Sequence, residues 1–192
     1  MNDPVLIIDQ TKKWIVDVVI AFNFCPFAAR EVKRGSVHYE VLQTTDDETV
    51  LNAALGVMHL LDGNENIETA LLIIPIGFED FEHYLDMVEP VQELLEEHNY
   101  EGIYQVASFH PKYLFAGSNE NDAANYTNRS PYAMLHFLSA MLHFLREESL
   151  SKAIDSHPDI DSVPEKNIAF AHAQQKGLPF MQQMLAQCMM RQ

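Results

Sequence analysis

Thr69-Ala70-Leu71-Leu72-Ile73-Ile74-Pro75-Ile76 carries no polar side chain after Thr69, so any strand it forms is covered on both faces. Pro75-Ile76-Gly77 closes it. On its N-terminal side, Val37, Tyr39 and Val41 alternate with His38 and Glu40, the pattern of a half-buried strand. Between them Thr44-Thr45-Asp46-Asp47 caps a helix running to about Leu61, which Asp62-Gly63-Asn64 ends. On the other side, Glu79 to His98 is an acidic amphipathic helix, and Ile103 to Phe109 is a third strand. Strands joined by connections of helical length pair in parallel through right-handed crossovers. The expected fold class is therefore α/β: a small open, mostly parallel sheet with a β-α-β-α-β core. The strand over 69–76 lies inside it, helices cover both faces, and a C-terminal helical region follows.

Moving outward again, Thr11 to Phe22 is helical, with Trp14, Ile15, Val18, Val19 and Phe22 on one side. Asn23 and Pro26 end it, and a short helix from Pro26 to Lys33 follows. After the third strand comes a polar loop, His110 to Ser130, too long to be structureless in a compact domain without a functional reason. Ser130-Pro131 then has the chemistry of a helix start. The helix expected there holds a tandem repeat, Ala133-Met134-Leu135-His136-Phe137-Leu138 followed by Ala140-Met141-Leu142-His143-Phe144-Leu145. Seven residues are two helical turns, so each residue nearly overlies its twin, with Leu135, Leu138, Leu142 and Leu145 as the seam. Ser156 to Pro164 is a loop, Pro164 to Gln175 a helix, and Leu178 onward a methionine-rich helix whose Met181, Met184, Leu185 and Cys188 suit a core or a homodimer contact. The whole is expected to be one domain over 1–192. It divides into N-terminal helices (1–34), an acidic core (35–111), a functional loop (112–131) and a helical region (132–192).

The chain has 192 residues and a formal charge of −16, and the charge is placed unevenly. Sixteen of the 28 acidic residues, and none of the 12 bases, lie between Gly35 and Pro111. Such a field repels phosphate backbones and anionic lipid, which excludes nucleic-acid and membrane-surface binding as expected roles. No apolar run is long enough to span a bilayer, and Met1-Asn2-Asp3-Pro4 lacks the basic start of a secretory signal. Two cysteines, Cys25 and Cys188, make no disulfide framework, so the expected compartment is the cytoplasm.

Ligands of open α/β sheets sit beyond the carboxyl ends of the strands, where the third strand delivers His110. Asp122, Asn125, Asn128 and Arg129 follow in the loop, and the expected Pro131 helix start beside Arg129 would hold a small anion. The bland alternative is that these residues cap turns and Arg129 pairs with an acidic helix. Cys25, next to Pro26 and one turn before Arg30, is either an activated thiol or a small buried hydrophobe between Phe24 and Phe27. His143 and Glu147 share a helical face if that segment is helical. Cys25, His110, His136, His143 and Glu147 include metal-ligating types, but no CxxC or HExxH spacing supports a metal site, and the cofactor is unknown.

Five stretches carry a resemblance: Thr11–Ala28 (TKKWIVDVVIAFNFCPFA), Phe109–Gly117 (FHPKYLFAG), Asp122–Tyr132 (DAANYTNRSPY), Leu142–Ser149 (LHFLREES) and Val163–Asn167 (VPEKN). In this order they resemble a group of bacterial proteins known as domain of unknown function 1415, over roughly residues 10 to 170. The resemblance brings no reaction. It implies that Trp14, Asn23, Cys25, Pro26, His110, Tyr113, Asp122, Asn125, Asn128, Arg129, Pro131 and the Arg146-Glu147-Glu148 cluster are motif positions. It also marks one departure: where the family has a single LHxLREES segment, the LHFL part of it occurs twice here. The expectation is an enzyme acting on a small anionic metabolite, with His110 as acid or base, Cys25 as thiol and Asp122 in support. Asn23, Tyr113, Asn125, Asn128, Arg129, Arg146 and Glu147 would line the ligand site. The alternative is a non-catalytic protein that binds a small ligand or a metal in the same pocket.

Overall fold

A computed structural model describes residues 3–139 and 167–190. The chain opens with helix α1 (Pro4–Trp14), capped by the Asp3 carboxylate on the Val5 N–H with proline in the first turn. It continues into a π-helical turn, Ile15–Ile20. Five of those six residues are β-branched, which crowds an α-helix, and bonds such as Ala21 N–H to the Val16 carbonyl and Phe24 N–H to the Val19 carbonyl span five residues. The N-terminal helix therefore starts earlier than Thr11 and ends in a wider turn than the sequence spacing implies.

Then come α2 (Ala28–Arg34), β1 (Val37–Val41), α3 (Asp47–Gly63), β2 (Thr69–Ile74), α4 (Phe81–Glu97) and β3 (Tyr104–Phe109). Asp46 and Asp80 cap α3 and α4, accepting from the N–H groups of Thr49 and His83. Gly77, at φ +89°, turns the chain after β2. A Cβ there would come within 2.8 Å of Thr45, so this close approach requires glycine. A 3₁₀ turn (Ala123–Thr127) lies in the long loop, followed by β4 (Ala133–Ser139), α5 (Asn167–Lys176) and α6 (Leu178–Cys188).

The four strands run in the order β1-β2-β4-β3. β1 and β2 are parallel, and β4 is antiparallel to both of its neighbours, so β3 points the same way as β1 and β2. The sheet is mixed rather than mostly parallel. The expected helix over the first repeat is instead β4, so the region over 132–192 is not wholly helical. Ala, Met and Leu are good helix formers, and a six-residue apolar run does not declare its period. The gap between β2 and β3 decides the matter, because a strand there gains two ladders and buries Ala133, Met134, Leu135 and Phe137. No helix starts at Pro131, so the anion site expected at its N-terminus is not formed. The second repeat copy, Arg146, Glu147 and the 156–164 loop lie outside the described residues.

Helices α3 and α4 cover one face of the sheet, packing Val50, Val57, Met58, Tyr84 and Val91 onto Leu72, Ile74, Leu135 and Phe137. The Tyr84 hydroxyl donates to the Met134 carbonyl (2.8 Å) and accepts from the Phe109 N–H (3.1 Å), tying α4 to β4 and β3 together. The other face carries α1, the π turn, the 3₁₀ turn, α5 and α6 against Leu71, Ile73 and Met134. Met181 and Cys188 of α6 are buried in this second core, with Met184 and Leu185 packed against it. Among the described residues no helix is long and apolar enough to cross a membrane.

Candidate functional site

The second face encloses a cavity of about 460 Å³. Trp14, Ile15 and Val19 of the α1–π segment form one wall. The chain then leaves the π turn through Asn23, whose φ of 54° is left-handed, a conformation that asparagine tolerates better than most residues. That reversal buries Phe24 and brings Cys25 and Phe27 to the cavity, followed by Ala28, Glu31 and Val32 of α2. The floor is the sheet, with Val37, Thr69, Leu71, Ala107, His136 and Leu138. Tyr113, Phe115, Thr127 and Asn128 from the long loop, with Ala169 and Phe170 from α5, complete the lining among the described residues.

Three of the expected site residues line the same cavity: Cys25, half-buried, Tyr113 and Asn128. Asn128 is also a fastener. Its Nδ2 donates to the Ser108 carbonyl (3.0 Å), and its own carbonyl accepts from the His110 N–H (3.2 Å). The loop is thus sewn to the end of β3.

The other expected residues hold the loop rather than line the cavity. Arg129 donates from Nε to the Tyr113 carbonyl (3.0 Å) and from Nη2 to the Glu120 carbonyl (3.2 Å), with its guanidinium 4.8 Å over the Tyr126 ring. Its own carbonyl accepts from Trp14 Nε1 (3.1 Å). Asn125, fully buried, accepts at Oδ1 from the Phe115 N–H (3.1 Å) and donates from Nδ2 to the Asn119 carbonyl (2.8 Å). Asp122 caps the 3₁₀ turn at the Ala124 N–H (2.9 Å) and accepts from Gln174 Nε2 on α5 (3.0 Å). Asn23 shapes the backbone without lining the cavity.

His110 is 1% exposed, stacked on the Tyr84 ring (5.1 Å between centroids) with the Phe81 ring tilted against it (5.2 Å). Its Nδ1 accepts from the Lys112 N–H (3.0 Å), so the neutral ring carries its proton on Nε2 and donates it to the Phe78 carbonyl (2.8 Å). Burial lowers its pKa; the Phe78 bond opposes that shift without cancelling it. Both nitrogens are committed to backbone groups, and the ring lies outside the cavity lining.

Two polar features of the cavity were not foreseen in this arrangement. Thr69 Oγ1 donates to the Phe137 carbonyl (2.7 Å), and a hydroxyl has only one proton, so it accepts from His136 Nε2 (2.6 Å). This couples the hydroxyl and imidazole of neighbouring strands on the cavity floor. Glu31, 3% exposed, accepts from the Ser36 hydroxyl (2.6 Å) and Arg30 Nε (2.5 Å), with Arg34 at 3.6 Å. Burial by itself would raise its pKa, but Ser36, Arg30 and Arg34 outweigh it and hold the carboxyl below its usual value. An acid flanked by Arg30 and Arg34 on a short helix, with Ser36 beyond a left-handed Gly35, was a readable signal for that network. The Thr69–His136 pair left no such trace, since it depends on β4 lying beside β2.

The two thiols differ. Cys188 is fully buried; burial foremost, with Asp17 adding to it, pushes its thiol up to about 11. Among the described residues, no group of three or more His, Cys, Asp or Glu side chains is arranged to hold a metal ion. Among the described residues, no Lys or Arg lines the cavity.

Residues 6–182 match the model of a family described as a protein of unknown function, DUF1415, and the chain belongs to that family. Neither a curated protein nor a solved structure matches it.

Proposed function

We propose that this protein binds a small, predominantly apolar molecule in the cavity between the sheet, the π turn and the long loop. The observation that carries this reading is the cavity itself: its volume of about 460 Å³ is within the range of small-molecule sites, and its wall is mostly aliphatic and aromatic. Most of its polar side chains already spend hydrogen bonds on the protein, as Thr69, Glu31, Thr127 and Asn128 do. A ligand here gains mainly from burial, with few polar groups fixing its orientation. The anionic-metabolite reading loses support, because the Arg129 guanidinium braces backbone carbonyls and no cationic residue of the described lining offers a counter-charge. Catalysis keeps one supporting observation, the Cys25 thiol in the cavity wall.

Cys25 serves as the reporter. Its alkylation by iodoacetamide is expected to slow several-fold with 3-methylindole present, and less with indole-3-acetate, which has a similar ring but a charge. Ala107→Phe, projecting from β3 into the cavity, is expected to remove that protection. Stronger protection by indole-3-acetate would restore the anion reading. No protection by either compound, nor by p-cresol or hexanol, would remove the small-molecule role.

A further inference from the structure

The tandem repeat acquires a different meaning once its first copy is a strand. Strand side chains alternate with period two, and seven is odd. If β4 simply ran on into the second copy, Leu142 and Phe144 would face opposite to Leu135 and Phe137, and the apolar set would be misplaced. A slip of seven residues, with the first copy looped out, instead returns the same side chain to every position.

Apart from Ser139, paired with Tyr104, the residues of β4 that meet the rest of the protein belong to the hexapeptide. Ala133, Leu135 and Phe137 pack toward α3 and α4, and Met134 packs toward the opposite helices. Thr69 binds the Phe137 carbonyl and the His136 ring, and Tyr84 binds the Met134 carbonyl. Residues 140–145 repeat this sequence without a change. What distinguishes the copies lies outside the hexapeptide, chiefly upstream. Tyr132, buried, hydrogen-bonds Gln10 through its hydroxyl, and the Ser130 hydroxyl donates to the Tyr132 carbonyl (2.6 Å). These anchors deliver Ala133 directly into the sheet. After the slip, Ser139 would stand in the place of Tyr132, Arg146 would replace Ser139 opposite Tyr104, and the loop before the strand would be seven residues longer.

We propose that the two AMLHFL copies are interchangeable occupants of the position between β2 and β3, giving the sheet two registers seven residues apart, with the first copy favoured by Ser130 and Tyr132. Three variants of the full chain test this: Leu135→Asp with Phe137→Asp, Leu142→Asp with Phe144→Asp, and all four together. The first variant is expected to keep a cooperative thermal transition with a Tm lowered by a few degrees, the second to resemble the parent, and the fourfold variant to lose the transition. Cysteine pairs identify the register, because Ile73 lies directly opposite Met134. Ile73→Cys with Met134→Cys is expected to cross-link in the parent, and Ile73→Cys with Met141→Cys in the first variant. The proposal is overturned if the first variant unfolds like the fourfold one, or folds without the 73–141 cross-link.

Discussion

Leu71 and Leu72 are consecutive residues of one strand, and they face two differently built halves of the molecule. Leu72 enters a core of side chains from α3, α4 and three strands, nearly all fully buried. Leu71 faces the half made by α1, the π turn, the long loop and the C-terminal helices, where the cavity lies. The first half is assembled from regular, well-capped helices over a sheet. The second contains the π turn, the left-handed Asn23 and a loop held by Asn125, Asn128 and Arg129. The difference teaches that packing is optimised on one face, whereas the irregular backbone and its polar fasteners on the other keep a space open. Such features are costly unless the surroundings hold them, and they cluster at binding sites.

Truncations at the two leucines put this contrast to its strongest test. Leu72→Ala is expected to cost about 4 kcal/mol, since a new void opens in close-packed surroundings. Leu71→Ala is expected to cost about 2 kcal/mol, because its neighbours already border empty space. Urea titration of both variants measures the gap, and equal costs would mean that the two faces are packed alike.

The thiols sharpen the comparison further. Iodoacetamide at pH 8 is expected to modify Cys25 at least about a hundredfold faster than Cys188, whose thiol at about 11 is almost wholly protonated. Peptide mapping by mass spectrometry separates the two rates. Similar rates would show that the α6 side opens as readily as the cavity.

On the closely packed face, Asp62 accepts from the hydroxyls of Tyr100 (2.7 Å) and Tyr104 (2.8 Å). The Asp62 bond is the main reason that Tyr100 titrates at about 12. Asp62→Asn is expected to return the Tyr100 phenol toward 10, seen as tyrosinate absorbance at lower pH. An unchanged titration would mean that the carboxylate does not hold that ring.

The smallest expected effect concerns His110. Its folded pKa lies below the unfolded value of about 6.5, so below pH 6.5 the unfolded chain takes up protons before the folded one does. Its contribution to stability is complete above that pH and is lost as the pH falls toward the folded pKa. Tm should therefore fall between pH 7 and 5, and His110→Asn, which can accept the same Lys112 N–H, should flatten that slope. A slope unchanged by the substitution would place the titrating group elsewhere.

Local patterns announced much of this fold. The alternation at Val37–Val41, the unbroken apolar run of β2, the capping run before α3 and the acidic amphipathic pattern of α4 placed those elements within a few residues of where they form. The polar loop after β3 was recognisable as something other than a passive linker, and Cys25 and Asn128 do line one cavity. Arg129 and His110 were recognisable as special but not assignable, because a guanidinium or an imidazole has the same letter whether it meets a ligand or a backbone carbonyl.

The sequence alone determined the order of strands and helices as far as β3, the concentration of negative charge in the middle of the chain, and the motifs that mark the family, since each rests on neighbours along the chain. Only the tertiary structure decided that Ala133–Ser139 is a strand, that Thr69 meets His136, and that one face of the sheet holds a cavity. Those outcomes follow from unpaired edges, burial and hydrogen-bond partners contributed by segments dozens of residues away, and a short apolar run adopts whichever conformation such distant groups reward.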